Sequence, residues 1–91
     1  MVITRFRVVE PAAFADRVES ALAVLRARAG FLDAALERNL DEPGLWALVT
    51  RWENVGSYRR ALQGYESKMV VVPLLSEALD EPSAYEDPAR H

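Results

Sequence analysis

The segment "VTRWENVGSYRRAL", residues 49–62, contains an abrupt change in the spacing of apolar side chains. Apolar residues alternate up to Trp52, which is typical of a β-strand, and Asn54 or Ser57 can then cap a helix. The apolar residues that follow recur at helical spacing: Tyr58, Leu62 and Tyr65. We therefore predict a strand that ends at Trp52 and a helix directly after it. Trp52 either fills the core or forms the wall of a ligand site.

The first thirty residues show the same two patterns in the same order. Residues 2–9, "VITRFRVV", alternate and are rich in β-branched side chains, which predicts a first strand. Pro11 suits the first position of a helix, where the N–H has no partner within the helix. The apolar stripe of this helix consists of Phe14, Val18, Leu22, Leu25 and Ala29. Gly30 is then expected as the C-terminal cap, because glycine can take the left-handed conformation.

Two further strands and a turn are predicted in the middle of the chain. Residues 31–40, "FLDAALERNL", and residues 45–52, "LWALVTRW", both alternate. Between them, Pro43 and Gly44 suit the two central positions of a type II turn.

The last third of the chain predicts helix and a short strand. Pro73 in "KMVVVPLLSEAL" either kinks the second helix or begins a separate one. Residues 83–86 are long enough for a final strand. The resulting β-α-β-β-α-β order predicts an α+β, ferredoxin-like fold with a four-stranded antiparallel sheet and helices on one face.

Both faces of the predicted sheet carry apolar residues. Along the third strand, one face has Trp46, Leu48, Thr50 and Trp52, and the other has Leu45, Ala47 and Val49. One layer of helices covers one face only, and a solvated second face should be polar. We therefore predict that a second copy of the chain covers it, giving a homodimer.

Composition limits the classes of protein to consider. The 91 residues, with 51% hydrophobic and 27% charged residues, predict a single globular domain, residues 1–91, with a polar tail from about residue 87. No apolar run reaches the roughly 18 residues of a membrane span, and the first residues lack the pattern of a signal peptide. A cytoplasmic location is the resulting expectation.

Charge and residue types argue against several kinds of site. The net charge of −3 argues against nucleic-acid binding, which needs a surplus of Lys and Arg. The chain has no cysteine and a single histidine, His91 at its end, so we expect no metal site and no haem. It also lacks a phosphate-binding glycine loop, so we expect no flavin and no cofactor at all.

The chain resembles the antibiotic biosynthesis monooxygenase (ABM) family, whose members form dimeric α/β barrels. The resemblance covers "VITRFRV" and the helix after it, "AGFLDAAL" as helix end and second strand, and "LWALVTRWENVGSYRRAL" as third strand, tryptophan and helix. The tail "VVPLLSEALDEPSAYE" is also similar. The resemblance implies the dimeric barrel and an oxidoreductase of the monooxygenase type.

The quinone-forming branch of the family implies a specific chemistry, the oxidation of phenols or anthrones by O₂ without metal or flavin. Trp52 matches the tryptophan of strand three in this branch, and Tyr58 matches a pocket tyrosine. Leu48 stands where the branch carries an asparagine, so a polar anchor for the substrate is missing. The haem-degrading branch carries an Asn on strand one and a His on the second helix, and this chain has neither.

The candidate substrate pocket has a packing alternative at each position. Tyr58 and Tyr65 share a helix face and could simply be buried rings. Arg5 could stabilise a substrate anion, or it could form an interface ion pair with Asp33 or Glu37 of the second strand. The candidate pocket residues are therefore Trp52, Tyr58, Tyr65 and Arg5.

Two functions from different classes remain. The first is a cofactor-independent monooxygenase that oxidises a flat phenolic or polycyclic aromatic molecule with O₂. The second is a non-catalytic, dimeric ligand-binding or accessory domain on the same scaffold, which Leu48 favours. An RNA-recognition motif shares the order of elements, but it needs stacking aromatics on a basic sheet, which "LWALVTRW" does not provide.

Overall fold

The computed structural model describes residues 1–90, and His91 lies outside the described residues. In chain order, the elements are β1 (Val2–Arg7), α1 (Pro11–Arg26), β2 (Phe31–Arg38), β3 (Leu45–Trp52), α2 (Val55–Ala61), a π-helical turn (Ser67–Val71), α3 (Val72–Leu75) and a 3₁₀ turn (Pro88–Arg90). This is the β-α-β-β-α arrangement of the α+β, ferredoxin-like fold. None of the helices among residues 1–90 is both long and apolar enough to cross a bilayer.

The sheet has three antiparallel strands in the order β1-β3-β2, so the prediction of four strands is wrong for the described residues. At residues 83–86, only an isolated bridge joins Ala84 to Val2. Continuing this register would put Pro82 opposite Thr4, and proline has no N–H to donate to a ladder. The segment therefore runs beside β1 without extending the sheet.

The core lies between the sheet and the helices. Helix α1 turns the predicted apolar stripe inward, and its buried residues are Phe14, Val18, Ala21, Leu22 and Leu25. The sheet contributes Val2, Phe6, Leu48 and Trp52, as the alternation predicts. Because α1 ends at Arg26, Ala29 lies beyond the helix and outside the stripe.

Gly30 takes the left-handed conformation, with φ of +88°, although α1 already ends at Arg26 and is capped by Ala27. The backbone N–H of Glu53 donates to the Gly30 carbonyl at 2.8 Å, which joins the start of β2 to the end of β3. A Cβ atom at position 30 would collide with the Ser57 side chain in α2. Glycine is therefore required here both by its φ and by the close approach of α2.

The turn between β2 and β3 is not the predicted type II turn, because Gly44 does not have the positive φ that this turn requires. Asn39 organises the turn instead. Its Oδ1 accepts hydrogen bonds from the backbone N–H groups of Asp41 at 2.9 Å and Glu42 at 2.8 Å. A side chain that bonds to backbone two and three residues later provides the reversal without a left-handed residue.

The second helical region is divided into short pieces. Asn54 caps α2, since its Oδ1 accepts the backbone N–H of Ser57 at 2.8 Å. Gly64, with φ of +93°, interrupts the helical backbone between α2 and the π-helical turn. Pro73 lies in the first turn of α3, which follows directly from the π-helical turn, since Val71 and Val72 both have helical φ and ψ.

The face of the sheet away from the helices is partly apolar. The strand register aligns Ile3, Val49 and Ala35 in one row across this face, and Arg5, Ala47 and Glu37 form the next row. The core residues of β1 and β3 lie on the opposite face. The prediction of apolar side chains on both faces is therefore confirmed.

Candidate functional site

Two cavities lie beside β1. The larger, of about 720 Å³, is formed where β3 ends and α2 begins, and its walls include Trp52, Val55, Tyr58, Met1 and Tyr85. Its volume is within the roughly 300–1,000 Å³ of small-molecule sites. The smaller, of about 360 Å³, lies between β1 and residues 75–83.

Trp52 belongs both to the core and to the wall of the larger cavity. Its side chain is only 7% exposed, and its ring packs edge-on against Phe31 at a centroid distance of 5.2 Å. The indole Nε1 donates a 2.9 Å hydrogen bond to Oγ1 of Thr50. The indole N–H is therefore used inside the protein, and the ring itself is what a ligand can contact.

Tyr58 is the residue that the two cavities share. Helix α2 holds its ring against Trp52, with a centroid distance of 5.9 Å and an interplanar angle of 54°. Burial raises the pKa of the Tyr58 phenol above its ordinary value, because the anion is poorly solvated there. The hydroxyl is therefore neutral at physiological pH and can donate a hydrogen bond to a ligand oxygen.

Exposed apolar side chains form part of the larger cavity, beside the charged residues Arg51, Glu53, Glu86 and Asp87. Four of the large apolar side chains that the fold leaves exposed lie in its walls: Met1, Leu32, Val55 and Tyr85. They come from the residue before β1, from β2, from α2 and from the segment after α3, so four separate parts of the chain converge on this opening. Clustered exposed apolar residues of this kind often mark a ligand site.

The smaller cavity contains an ion pair. The guanidinium of Arg5 donates two hydrogen bonds to the Glu81 carboxylate, Nε to Oε2 at 2.8 Å and Nη2 to Oε1 at 2.7 Å. The hydrogen bond from Arg5 lowers the pKa of Glu81, and the same bond raises the pKa of Arg5. Within one chain, Arg5 therefore pairs with Glu81, and the predicted interface pair with Asp33 or Glu37 stays a prediction.

The other predicted site residues lie apart from the cavities. Tyr65 is 77% exposed and lines neither of the two. Leu48 is 2% exposed within the core, where its apolar side chain packs between the sheet and the helices. The structure thus brings together Trp52 and Tyr58, adds Arg5 through the smaller cavity, and leaves Tyr65 outside.

Sequence reasoning missed Thr4, Glu81 and Tyr85 as cavity residues. Thr4 sits in a strand as an ordinary β-branched residue, and the alternation of β1 could have assigned it to the helix-facing side. Glu81 and Tyr85 belong to an acidic stretch that has the composition of a solvated terminus. Only the path of this stretch along β1 brings them to the site.

The described residues offer no cluster suited to a metal ion, since no three His, Cys, Asp or Glu side chains converge among residues 1–90. The larger cavity provides aromatic walls, the neutral phenol of Tyr58 and charged residues beside them, and the smaller cavity provides the Arg5–Glu81 ion pair and Asp80. Chemically, this arrangement can hold a flat apolar ring system and donate hydrogen bonds to an oxygen atom at its edge.

Known proteins provide a context for this geometry. SnoaB, a cofactor-independent oxygenase from Streptomyces nogalater, is similar in structure with a TM-score of 0.73 and 23% sequence identity, over 85% of this chain and 80% of SnoaB. A conserved protein from Methanosarcina mazei Go1 gives a TM-score of 0.70 at 23% identity, over 91% of this chain and 83% of its own. At such identities the likeness concerns the fold.

Sequence comparison identifies the family. No curated protein sequence matches the chain significantly. The sequence profile of the family described as antibiotic biosynthesis monooxygenase matches residues 1–71, which include all three strands, α1, α2 and the π-helical turn. The chain therefore belongs to the antibiotic biosynthesis monooxygenase family.

Proposed function

We propose that the protein is a cofactor-independent monooxygenase that oxidises a flat phenolic or polycyclic aromatic molecule with O₂. The observation that carries this proposal is the cavity of about 720 Å³ with Trp52, Tyr58 and four exposed apolar side chains in its walls. Membership of the ABM family and the likeness in fold to a cofactor-independent oxygenase support the same class of reaction.

The reaction balances without a further reductant. A methylene or aromatic C–H carbon of the substrate becomes a carbonyl, one atom of O₂ forms the new C=O bond, and the other atom leaves as water with the two hydrogens that the substrate loses. The electrons come from the electron-rich phenolate or carbanion. The protein has to bind the ring, favour its deprotonated form and keep bulk water away.

Within this proposal, Trp52 and Tyr58 have different tasks. The Trp52 ring is a rigid apolar wall, and the neutral Tyr58 hydroxyl donates a hydrogen bond to the oxygen on which negative charge accumulates. Such a donor stabilises the anion more in a water-poor cavity than in bulk solvent. Arg5 does not act as a free cation, since Glu81 neutralises it.

Two observations favour the alternative, a non-catalytic ligand-binding or accessory domain. Leu48, where a polar anchor would be expected, is buried in the core, and the Tyr58 phenol is neutral and therefore a poor base. In this case the cavity would bind the aromatic molecule without turning it over.

Oxygen consumption separates the two functions. Purified protein, treated with a chelator, is supplied with anthrone, naphthols and hydroquinones in an oxygen electrode. The monooxygenase should consume one O₂ per quinone formed without any added cofactor, and Tyr58→Phe should slow it. Tight binding of these compounds, measured by quenching of tryptophan fluorescence, together with oxygen uptake no faster than in buffer would instead support the alternative.

The proposal includes a homodimer formed through the open face of the sheet. The row of Ile3, Val49 and Ala35 lies at the centre of this face, and the charged residues Arg5 and Glu37 lie in the neighbouring row. An apolar centre with a polar surround is the usual composition of a protein interface. A second copy, related by a two-fold axis, would place the same apolar rows against each other.

A further inference from the structure

The smaller cavity contains polar groups that have no partner within the protein. Thr4 is only 7% exposed, and its hydroxyl makes no hydrogen bond within residues 1–90. Among these residues no fully buried side-chain polar atom lacks a partner, so the Thr4 oxygen is accessible. The accessible space beside Thr4 is the smaller cavity, which gives this cavity an unpaired hydroxyl in its wall.

Arg5 adds donors to the same cavity without adding net charge. Its Nε and Nη2 bind Glu81, whereas Nη1 makes no hydrogen bond among the described residues. Because the Glu81 carboxylate balances the guanidinium charge, the remaining N–H groups act as donors in a locally neutral pair. Asp80 also lines this cavity, so its walls carry two carboxylates and one guanidinium, and a ligand carboxylate there would be repelled.

Tyr58 connects this cavity to the proposed aromatic site, because its side chain lines both. Its hydroxyl is also without a hydrogen bond among residues 1–90. Only the Tyr58 side chain would therefore separate a ligand ring held against Trp52 from the smaller cavity. An oxygen-bearing substituent of that ligand could reach the donors of Thr4 and Arg5.

We propose that the smaller cavity is a subsite for an uncharged oxygen-bearing group, a carbonyl or hydroxyl, of the aromatic ligand, and that Glu81 makes the site reject a carboxylate at this position. This inference rests on the proposed function for the aromatic ring itself. It assigns Arg5 as a hydrogen-bond donor and Glu81 as the residue that determines specificity by charge.

A pair of ligands that differ only in charge tests this inference. A naphthalene carboxamide and the carboxylate of the same ring position have nearly the same shape, and neither can be oxidised in the assay. Their dissociation constants are measured by quenching of tryptophan fluorescence. The wild-type protein should bind the carboxamide about tenfold more tightly, which corresponds to the repulsion from a single nearby charge in a high effective dielectric.

Glu81→Gln should remove this discrimination by strengthening carboxylate binding about tenfold, because the Arg5 charge becomes available. The matched control is Glu77→Gln. Glu77 forms an equivalent two-bond pair with Arg17 at 2.9 and 2.7 Å but lines neither cavity, so its loss should leave the ratio unchanged. If Glu81→Gln does not fold, Arg5→Lys replaces it and should weaken carboxamide binding several-fold by removing the Nη1 donor.

The outcomes distinguish the subsite from the aromatic site. Equal wild-type affinity for the two ligands, or a ratio that Glu81→Gln leaves unchanged, would overturn the subsite while naphthol binding still supports the aromatic cavity. Failure of naphthol, carboxamide and carboxylate alike to bind would overturn both proposals.

Discussion

The indole Nε1 of Trp52 donates its hydrogen bond to Oγ1 of Thr50, two residues earlier on the same face of β3, at 2.9 Å. Thr50 is buried, so this bond keeps two polar groups satisfied inside the core. The same indole ring lines the larger cavity. Core packing and cavity wall are therefore not alternatives for Trp52, because its N–H belongs to the first and its ring contributes to the second.

We expect Trp52→Phe to lower the free energy of unfolding by about 1 to 3 kcal/mol, since it leaves the Thr50 hydroxyl without its donor and removes part of a packed ring. The affinity for polycyclic phenols should fall several-fold, because less ring area faces the cavity. Urea denaturation and fluorescence-independent calorimetric titration measure the two effects separately. Unchanged affinity in the folded variant would show that the indole is dispensable for binding.

The matched control for Trp52→Phe is Thr50→Val, which removes the acceptor with little change of shape. If the hydrogen bond is the main loss in stability, the double variant should be less destabilised than the sum of the single variants, by about 0.5 to 1.5 kcal/mol. Additive losses would mean that the bond contributes little. Thr50→Val should leave the ligand affinity unchanged, since Thr50 does not line the cavity.

Gly30→Ala should be strongly destabilising, by about 2 to 4 kcal/mol, because alanine is strained at positive φ and its Cβ would collide with Ser57. Gly44→Ala is the control, since the nearest atom to its new Cβ is the Val8 carbonyl oxygen at 3.7 Å and its φ is not positive. Chemical denaturation of both variants checks this prediction. Similar losses at the two positions would contradict the proposed cause.

The Tyr58 phenol should ionise at a higher pH than an ordinary tyrosine does. Burial raises its pKa, so the folded protein keeps this proton longer than the unfolded chain does. Its contribution to stability is therefore fully present below the ordinary tyrosine pKa of about 10 and is lost as pH rises through the folded value. Tyrosinate absorbance during an alkaline titration follows the ionisation.

In that titration, Tyr58→Phe should remove a component that ionises above the ordinary tyrosine pKa, because burial raises the pKa of this phenol. If Tyr58→Phe instead removes a component that ionises at or below the ordinary tyrosine pKa, its phenol is well solvated. That result would remove the basis for its role as a neutral donor.

The homodimer can be tested at the centre of the open sheet face. Sedimentation should give a species of about twice the 10.2 kDa mass of the chain. The interface of this dimer should bury roughly 1,600 Å² or more in total. Val49→Glu should dissociate it, since a charge would lie in the apolar row with Ile3 and Ala35. Leu40→Glu, at a fully exposed position outside this row, is the control and should remain dimeric. A wild-type protein that sediments only as a single chain would contradict the interface.

The positions of β1, α1, β2 and β3 follow from the sequence because the hydrophobic period is a local property. The family resemblance implied Trp52 and Tyr58 as pocket residues. The two rings are neighbours in space because the strand leads directly into the helix. The cap at Asn54 needs only a side chain and the next turn of backbone. The left-handed Gly30 likewise depends on what a residue without Cβ can do.

The tertiary structure alone decided the rest. Whether residues 83–86 form a strand depends on their pairing with β1, which Pro82 limits to one bridge. Arg5 and Glu81 are 76 positions apart, and the sequence pattern did not favour Glu81 over other carboxylates as the partner of Arg5. The two side chains meet because the segment after α3 runs back along β1. Helix caps and the alternation of side chains along a strand depend on residues that are neighbours in sequence. Ion pairs and cavities form between segments that are distant in sequence. The residue types that form them can be read from the sequence, whereas which of these residues meet cannot.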